Sequence, residues 1–94
     1  MSAGFVAFHY PHPEYFEEFV GRTRQVGEVL RAVPGCRSVE VWVTPDGDAV
    51  VSTARFDAED DLKAALGAAI DSGAPVEFDE RERKPRQIFM LESR

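Results

Sequence analysis

His9, Tyr10 and His12 fall within one short run, His9-Tyr10-Pro11-His12-Pro13, and this is where proton chemistry is first suggested. An imidazole ordinarily titrates near neutrality, so a histidine facing a cleft can take a proton from a phenol and hand it back. His9 and His12 are therefore the candidate catalytic residues, with Tyr10 as a candidate ligand contact. The competing reading makes His9 a satisfied core or interface histidine and His12 a helix cap. No metal site is expected. Two histidines three apart across a proline turn lack an acidic or cysteine partner at ligand spacing.

Trp42 and Arg55 offer a second constellation, an indole wall and a guanidinium clamp for an aromatic anion. The alternative is an interface anchor at Trp42 and an ion pair between Arg55 and Glu40. Arg86, at the start of the last apolar run, can reach a pocket mouth or a partner subunit. Cys36 follows Pro34-Gly35 with Arg37 beside it, but no histidine is placed to activate the thiol, and it reads as a small buried hydrophobe.

The elements that must position these residues follow from periodicity. Residues 4–10 are apolar on both alternating faces, Phe5, Ala7 and His9 against Val6, Phe8 and Tyr10, as in a strand covered on both sides. Pro11 and Pro13 stop it. From 13 to 33, Phe16, Phe19, Thr23, Val26, Leu30 and Val33 step by three and four, which predicts a helix, and Pro34-Gly35 ends it. Residues 38–44 alternate Val39, Val41 and Val43 against Glu40, Trp42 and Thr44. Asp46-Gly47 then turns a hairpin into a strand over 49–56. Asp57 is a candidate side-chain cap for a second helix carrying Leu62, Ala65, Leu66, Ala69 and Ile70, ending near Gly73. The mixed-sign run from Glu77 to Lys84 reads as a solvated connection, with a short edge strand at 76–78. Residues 87–91, apolar on both faces, predict a strand inside the sheet.

Composition narrows the classes. Ninety-four residues leave room for one domain, 1–94, and a chain this short gains from pairing with another subunit. Eleven basic against seventeen acidic residues give a net charge of −6, which disfavours nucleic acid as a partner. One cysteine allows no internal disulfide, and no apolar stretch approaches bilayer length, so a cytoplasmic protein without membrane association is expected.

The order β-α-β-β-α-β predicts an α+β, ferredoxin-like sandwich with an antiparallel sheet. Two helices cover one face of four strands, yet Phe8 and Trp42 point to the other. An exposed patch of that kind exceeds what soluble monomers tolerate. Pairing of two sheets about a two-fold axis is the simplest closure, so a homodimer forming a dimeric α+β barrel is expected.

The run Arg31-Ala32-Val33-Pro34-Gly35-Cys36-Arg37-Ser38-Val39-Glu40-Val41 resembles the Pro-Gly-Cys signature of the antibiotic biosynthesis monooxygenase-like family, in the dimeric α+β barrel group. Phe56-Asp57-Ala58-Glu59-Asp60-Asp61-Leu62 is similar to the family's entry into the second helix. The resemblance covers nearly the whole chain in element order. It implies a cofactor-independent monooxygenase-like protein acting on a small aromatic or polyketide metabolite. Relatives often carry a histidine and an aromatic near the end of the second helix, where this chain has Ala68-Ala69-Ile70-Asp71. A haem-degrading role therefore lacks its axial ligand. The alternative is a non-catalytic dimeric ligand-binding or assembly protein of the same fold.

Overall fold

Alternation along each strand decides which side chains can reach the helices. In the computed structural model, which describes residues 1–74 and 77–94, the chain runs β1 (Ala3–His9), a 3-10 turn (Pro13–Tyr15), α1 (Phe16–Arg31), β2 (Cys36–Val43), β3 (Val50–Phe56), α2 (Glu59–Asp71) and β4 (Gln87–Glu92). The strands form one antiparallel sheet in the order β2-β3-β1-β4, the ferredoxin-like arrangement that the element order predicts.

Two rows of paired residues face the helices. Met90, Phe5, Ala54 and Val39 form one, and Ile88, Ala7, Ser52 and Val41 the next. Phe5, Ala7, Val39, Ala54 and Phe56 pack with Leu30 of α1 and Leu62, Ala65 and Ala69 of α2. The opposite face carries the rows Phe89, Val6, Thr53, Glu40 and Gln87, Phe8, Val51, Trp42. Phe8 meets Phe89 edge to face at 6.3 Å between ring centroids. Neither helix covers this face, and Trp42 is 56% exposed on it.

Several expectations need correcting. Helical spacing from residue 13 does not give one continuous helix: Pro13–Tyr15 is a 3-10 turn closed by the Tyr15 amide on the His12 carbonyl, and α1 ends at Arg31. The chain leaves α1 through Gly35 at φ +89°, a conformation that costs a residue with a Cβ, and a Cβ there would also meet the Asp61 carboxylate. Asp57 does not cap α2. Ala58 occupies the cap position without a side-chain bond, and the Asp57 carboxylate is taken by Arg37.

The last strand is an edge, not an interior strand: β4 pairs only with β1, and all six of its residues are exposed. Its apolar side chains on both faces meet the open ends of two surfaces rather than two covering layers. The expected strand at 76–78 begins outside the described residues, and Glu77 and Phe78 belong to no strand. Cys36 is half-buried rather than fully buried, and burial pushes its thiol up from the ordinary value.

The greatest departure lies in the charged run ahead of β4, which is a solvated connection only in part: Glu77, Glu80 and Lys84 are exposed, but residues 81–83 are built into the fold. Residues 81–83 lie antiparallel to 10–12, with the His12 amide on the Arg81 carbonyl at 2.8 Å, the Arg83 amide on the Tyr10 carbonyl at 2.7 Å and a bridge between Pro11 and Glu82. Arg81 pairs with Glu18 at 2.8 Å and Arg83 with Asp48 at 2.7 Å. Asp79, Arg81 and Arg83 thus find partners in α1 and the hairpin, and Glu82 is carried inward.

Candidate active site

His9 ends β1 on the face shared by Phe5 and Ala7, so its ring enters the space between sheet and helices. There the molecule has a cavity of about 230 Å³, floored by Phe5, Ala7, Ser52, Ile88 and Met90 of the sheet. Phe19, Val26 and Leu30 of α1 roof it, and Leu66 of α2 closes one side. Gly27 lets α1 approach the sheet at this level, since a Cβ there would stand 3.2 Å from Val39 Cγ1. The lining is mostly apolar, with the hydroxyl residues Thr23 and Ser52 and, at the His9 end, Arg22 and Arg86. A larger groove of about 510 Å³ adjoins it, sharing Leu66 and Met90.

Around His9 the charges are ordered. Nδ1 lies 3.5 Å from Oε1 of Glu82, whose side chain is entirely buried, and the other oxygen of Glu82 accepts from Arg86 Nη2 at 2.6 Å. Neither His9 Nδ1 nor Glu82 Oε1 has a hydrogen bond to any other group among the described residues. Arg22 stacks over Phe19 at 4.8 Å and pairs with Asp79 at 3.4 Å, while the ring of His9 lies 6.0 Å from that of Phe19.

Burial lowers the pKa of His9 below its ordinary 6.5, and the positive charge of Arg86 lowers it further; Glu82 opposes both and Arg22 adds to them. The imidazole is thus neutral at physiological pH, the form able to accept a proton. The same displacement has a sign for stability. As pH falls through 6.5 the unfolded chain binds its proton before the folded one does, so stability is full above that pH and declines toward the lower folded pKa. The urea midpoint is expected to drop between pH 7.5 and 5 by more in the native protein than in His9→Gln. Parallel curves for the two would mean that burial does not hold His9 neutral.

The sequence candidates divide between two faces. His9 and Arg86 meet in the cavity. Tyr10 lies beyond the end of β1, its hydroxyl donating to Gln87 Oε1 at 2.6 Å and its ring covered by Lys84 at 4.2 Å. His12 is half-buried in the turn before α1, outside the cavity lining. Trp42 and Arg55 share the open face but sit four residues apart in register, about 13 Å along the strands. Arg55 donates to Ser2 Oγ at 3.1 Å, and no described ion pair joins it to Glu40. Sequence reasoning missed Arg22 and Glu82. Arg22 was legible, because it stands three residues after Phe19 and four before Val26, on the inward stripe of α1.

Among the described residues no group of three His, Cys, Asp or Glu could hold a metal ion, and no helix is long and apolar enough to cross a membrane. The antibiotic biosynthesis monooxygenase family matches residues 4–69, well over half of the sequence. The chain belongs to that family. The matched span holds His9, Arg22 and the roof of the cavity, while Glu82 and Arg86 lie beyond it.

Solved structures agree with the family's fold. Rv0793 from Mycobacterium tuberculosis superposes with a TM-score of 0.84 at 21% identity, over 99% of this chain and 95% of that one. A monooxygenase from the gene ActVA-Orf6 of Streptomyces coelicolor, solved with the ligand nanaomycin D, gives 0.70 at 24%, covering 99% and 87%. SnoaB, a cofactor-independent oxygenase from Streptomyces nogalater, gives 0.71 at 17%, covering 99% and 93%. Among curated proteins none matches the chain in sequence.

Proposed function

We propose that this family member is a cofactor-independent monooxygenase of a small aromatic substrate, a polycyclic phenol bound between β1, β4 and α1. The observation that carries the reading is the mostly apolar cavity with one neutral, largely buried imidazole and two guanidinium groups gathered at His9. The cavity alone lies just below the usual range of about 300–1,000 Å³ for ligand sites, and the adjoining groove extends it. Membership of the family and the oxygenases among its structural neighbours support the same class of reaction.

In this reading His9 removes the phenolic proton and the guanidinium side of the cavity stabilises the anion. The anion has carbanion character at a ring carbon, which transfers electrons to dioxygen and forms a C–O bond. The resulting hydroperoxide, protonated from the imidazolium, loses water as its carbon gives up its remaining hydrogen. Written for the keto tautomer, one ring methylene and one dioxygen become one ring carbonyl and one water. The substrate supplies all four electrons, and no reductant enters. Oxygen uptake by the purified protein with a panel of polycyclic phenols tests this. Consumption of one dioxygen per quinone formed is expected, and no uptake above the spontaneous rate across the panel would sink it.

The reading includes a homodimer closed through the open sheet face, forming the dimeric barrel. Exposed Trp42, Phe89 and Leu91 on that face support it. Light scattering is expected to give twice the chain mass for the native protein and the single mass for Trp42→Glu, because a carboxylate in place of the indole loses its apolar contact and is desolvated where the two sheets close. A native monomer, or a dimer untouched by the substitution, removes this face as the interface.

A further inference from the structure

We propose that Glu82 is a positioning residue for His9: its carboxylate, anchored on one oxygen by Arg86, keeps the imidazole proton on Nδ1 and leaves Nε2 as the atom that accepts a proton from a ligand in the cavity. The role rests on the reading of His9 as the base of this site. It concerns an atom assignment that can be checked without any turnover.

The two facing atoms, His9 Nδ1 and Glu82 Oε1, constrain each other's protonation. A carboxylate has only lone pairs to offer, so an unprotonated Nδ1 opposite Glu82 Oε1 would set lone pair against lone pair inside the protein. A proton on Nδ1 turns that repulsion into attraction. At 3.5 Å the contact is open, and such contacts tighten when ligand binds or the imidazole gains charge. The second nitrogen is then the basic one by elimination.

The carboxylate cannot turn away. Oε2 is held by Arg86, and the backbone of Glu82 is pinned by the bridge to Pro11 and by hydrogen bonds of its two neighbours to Tyr10 and His12. The segment that carries Glu82 is thus clamped to the residues that follow His9. Once Nε2 takes a proton, the groups alternate in sign, from ligand anion to imidazolium, carboxylate and guanidinium. Arg22, reaching the cavity from α1, opposes the imidazolium and favours the anion, so Glu82 is the group that balances the transferred proton.

Glutamine separates this role from simple bridging. In Glu82→Gln the amide oxygen is needed by Arg86, which turns the amide NH2 toward His9. An NH2 requires a bare Nδ1, so the ring proton moves to Nε2 and the base is lost while packing is kept. Nitrogen NMR of the imidazole, with His12→Gln used to assign the two histidines, reads the tautomer directly.

The native protein is expected to hold His9 as the Nδ1–H tautomer, and Glu82→Gln as the Nε2–H tautomer. Native His9 protonated on Nε2, or a tautomer unchanged by the substitution, overturns the proposal. The native spectrum decides even if the variant does not fold. In oxygen uptake, Glu82→Gln is expected to lose about 10²-fold in kcat with KM little changed. Tautomers that invert in a protein that oxidises no phenol leave the positioning role standing and remove the proposed reaction. Oxygen uptake without inversion does the reverse.

Discussion

Glu82→Ala is expected to lower the unfolding free energy by about 3–5 kcal/mol, because it breaks a buried ion pair from one side only. Glu82 is 0% exposed in its side chain and Arg86 20%, so the guanidinium keeps a route to water and the cost should fall toward the lower end. The loss also reaches residues 81–83, paired with 10–12, since the carboxylate ties that segment to Arg86, just ahead of β4. For a small domain with about 5–15 kcal/mol of stability, such a loss is a large fraction of the whole. Urea unfolding measures it, and the double variant with Arg86→Ala sharpens it. If the single variant strands a charge, the pair of substitutions should cost less than the sum of each alone. A loss below about 1 kcal/mol would mean that Arg86 re-solvates freely and that Glu82 holds nothing in place.

That residue marks where the sequence stops being legible. The order of elements could be read because it rests on local signals: two prolines closing β1, an apolar stripe along α1, Pro34-Gly35, and Asp46-Gly47 in the hairpin. His9 was legible as a cavity residue by alternation with Phe5 and Ala7. Glu82 was not. In a run of mixed charges nothing local distinguishes the one carboxylate that turns inward, and its burial depends on pairing with Pro11, seventy-one residues earlier. The edge position of β4 was hidden for a related reason. A strand apolar on both faces reads as interior, yet Ile88 and Met90 border the cavity while Phe89 and Leu91 lie on the open face. Trp42 and Arg55 illustrate the converse, since adjacency of strands suggested nearness that the register denies.

His9→Gln is expected to slow phenol oxidation by about 10²–10⁴-fold, the range that a positioned general base contributes. Glutamine is close to histidine in volume and polar, so the cavity should keep its shape, and Phe19, Ile88 and Met90 should still hold the aromatic body of the substrate. Binding of a phenol, followed by quenching of its own fluorescence, is therefore expected to change by only a few-fold while turnover collapses. The pH profile carries the decisive contrast. Native turnover should fall on the acid side as His9 protonates, below the ordinary imidazole value because burial and Arg86 lower its pKa. His9→Gln should lack that limb and gain only with the spontaneous ionisation of the phenol, since deprotonation by solvent replaces deprotonation by the ring. If the variant turned over within about 3-fold of the native protein, or kept the acid limb, the proton would be leaving by another group. The guanidinium side of the cavity would then be acting alone, by lowering the pKa of the bound phenol until it ionises without a base.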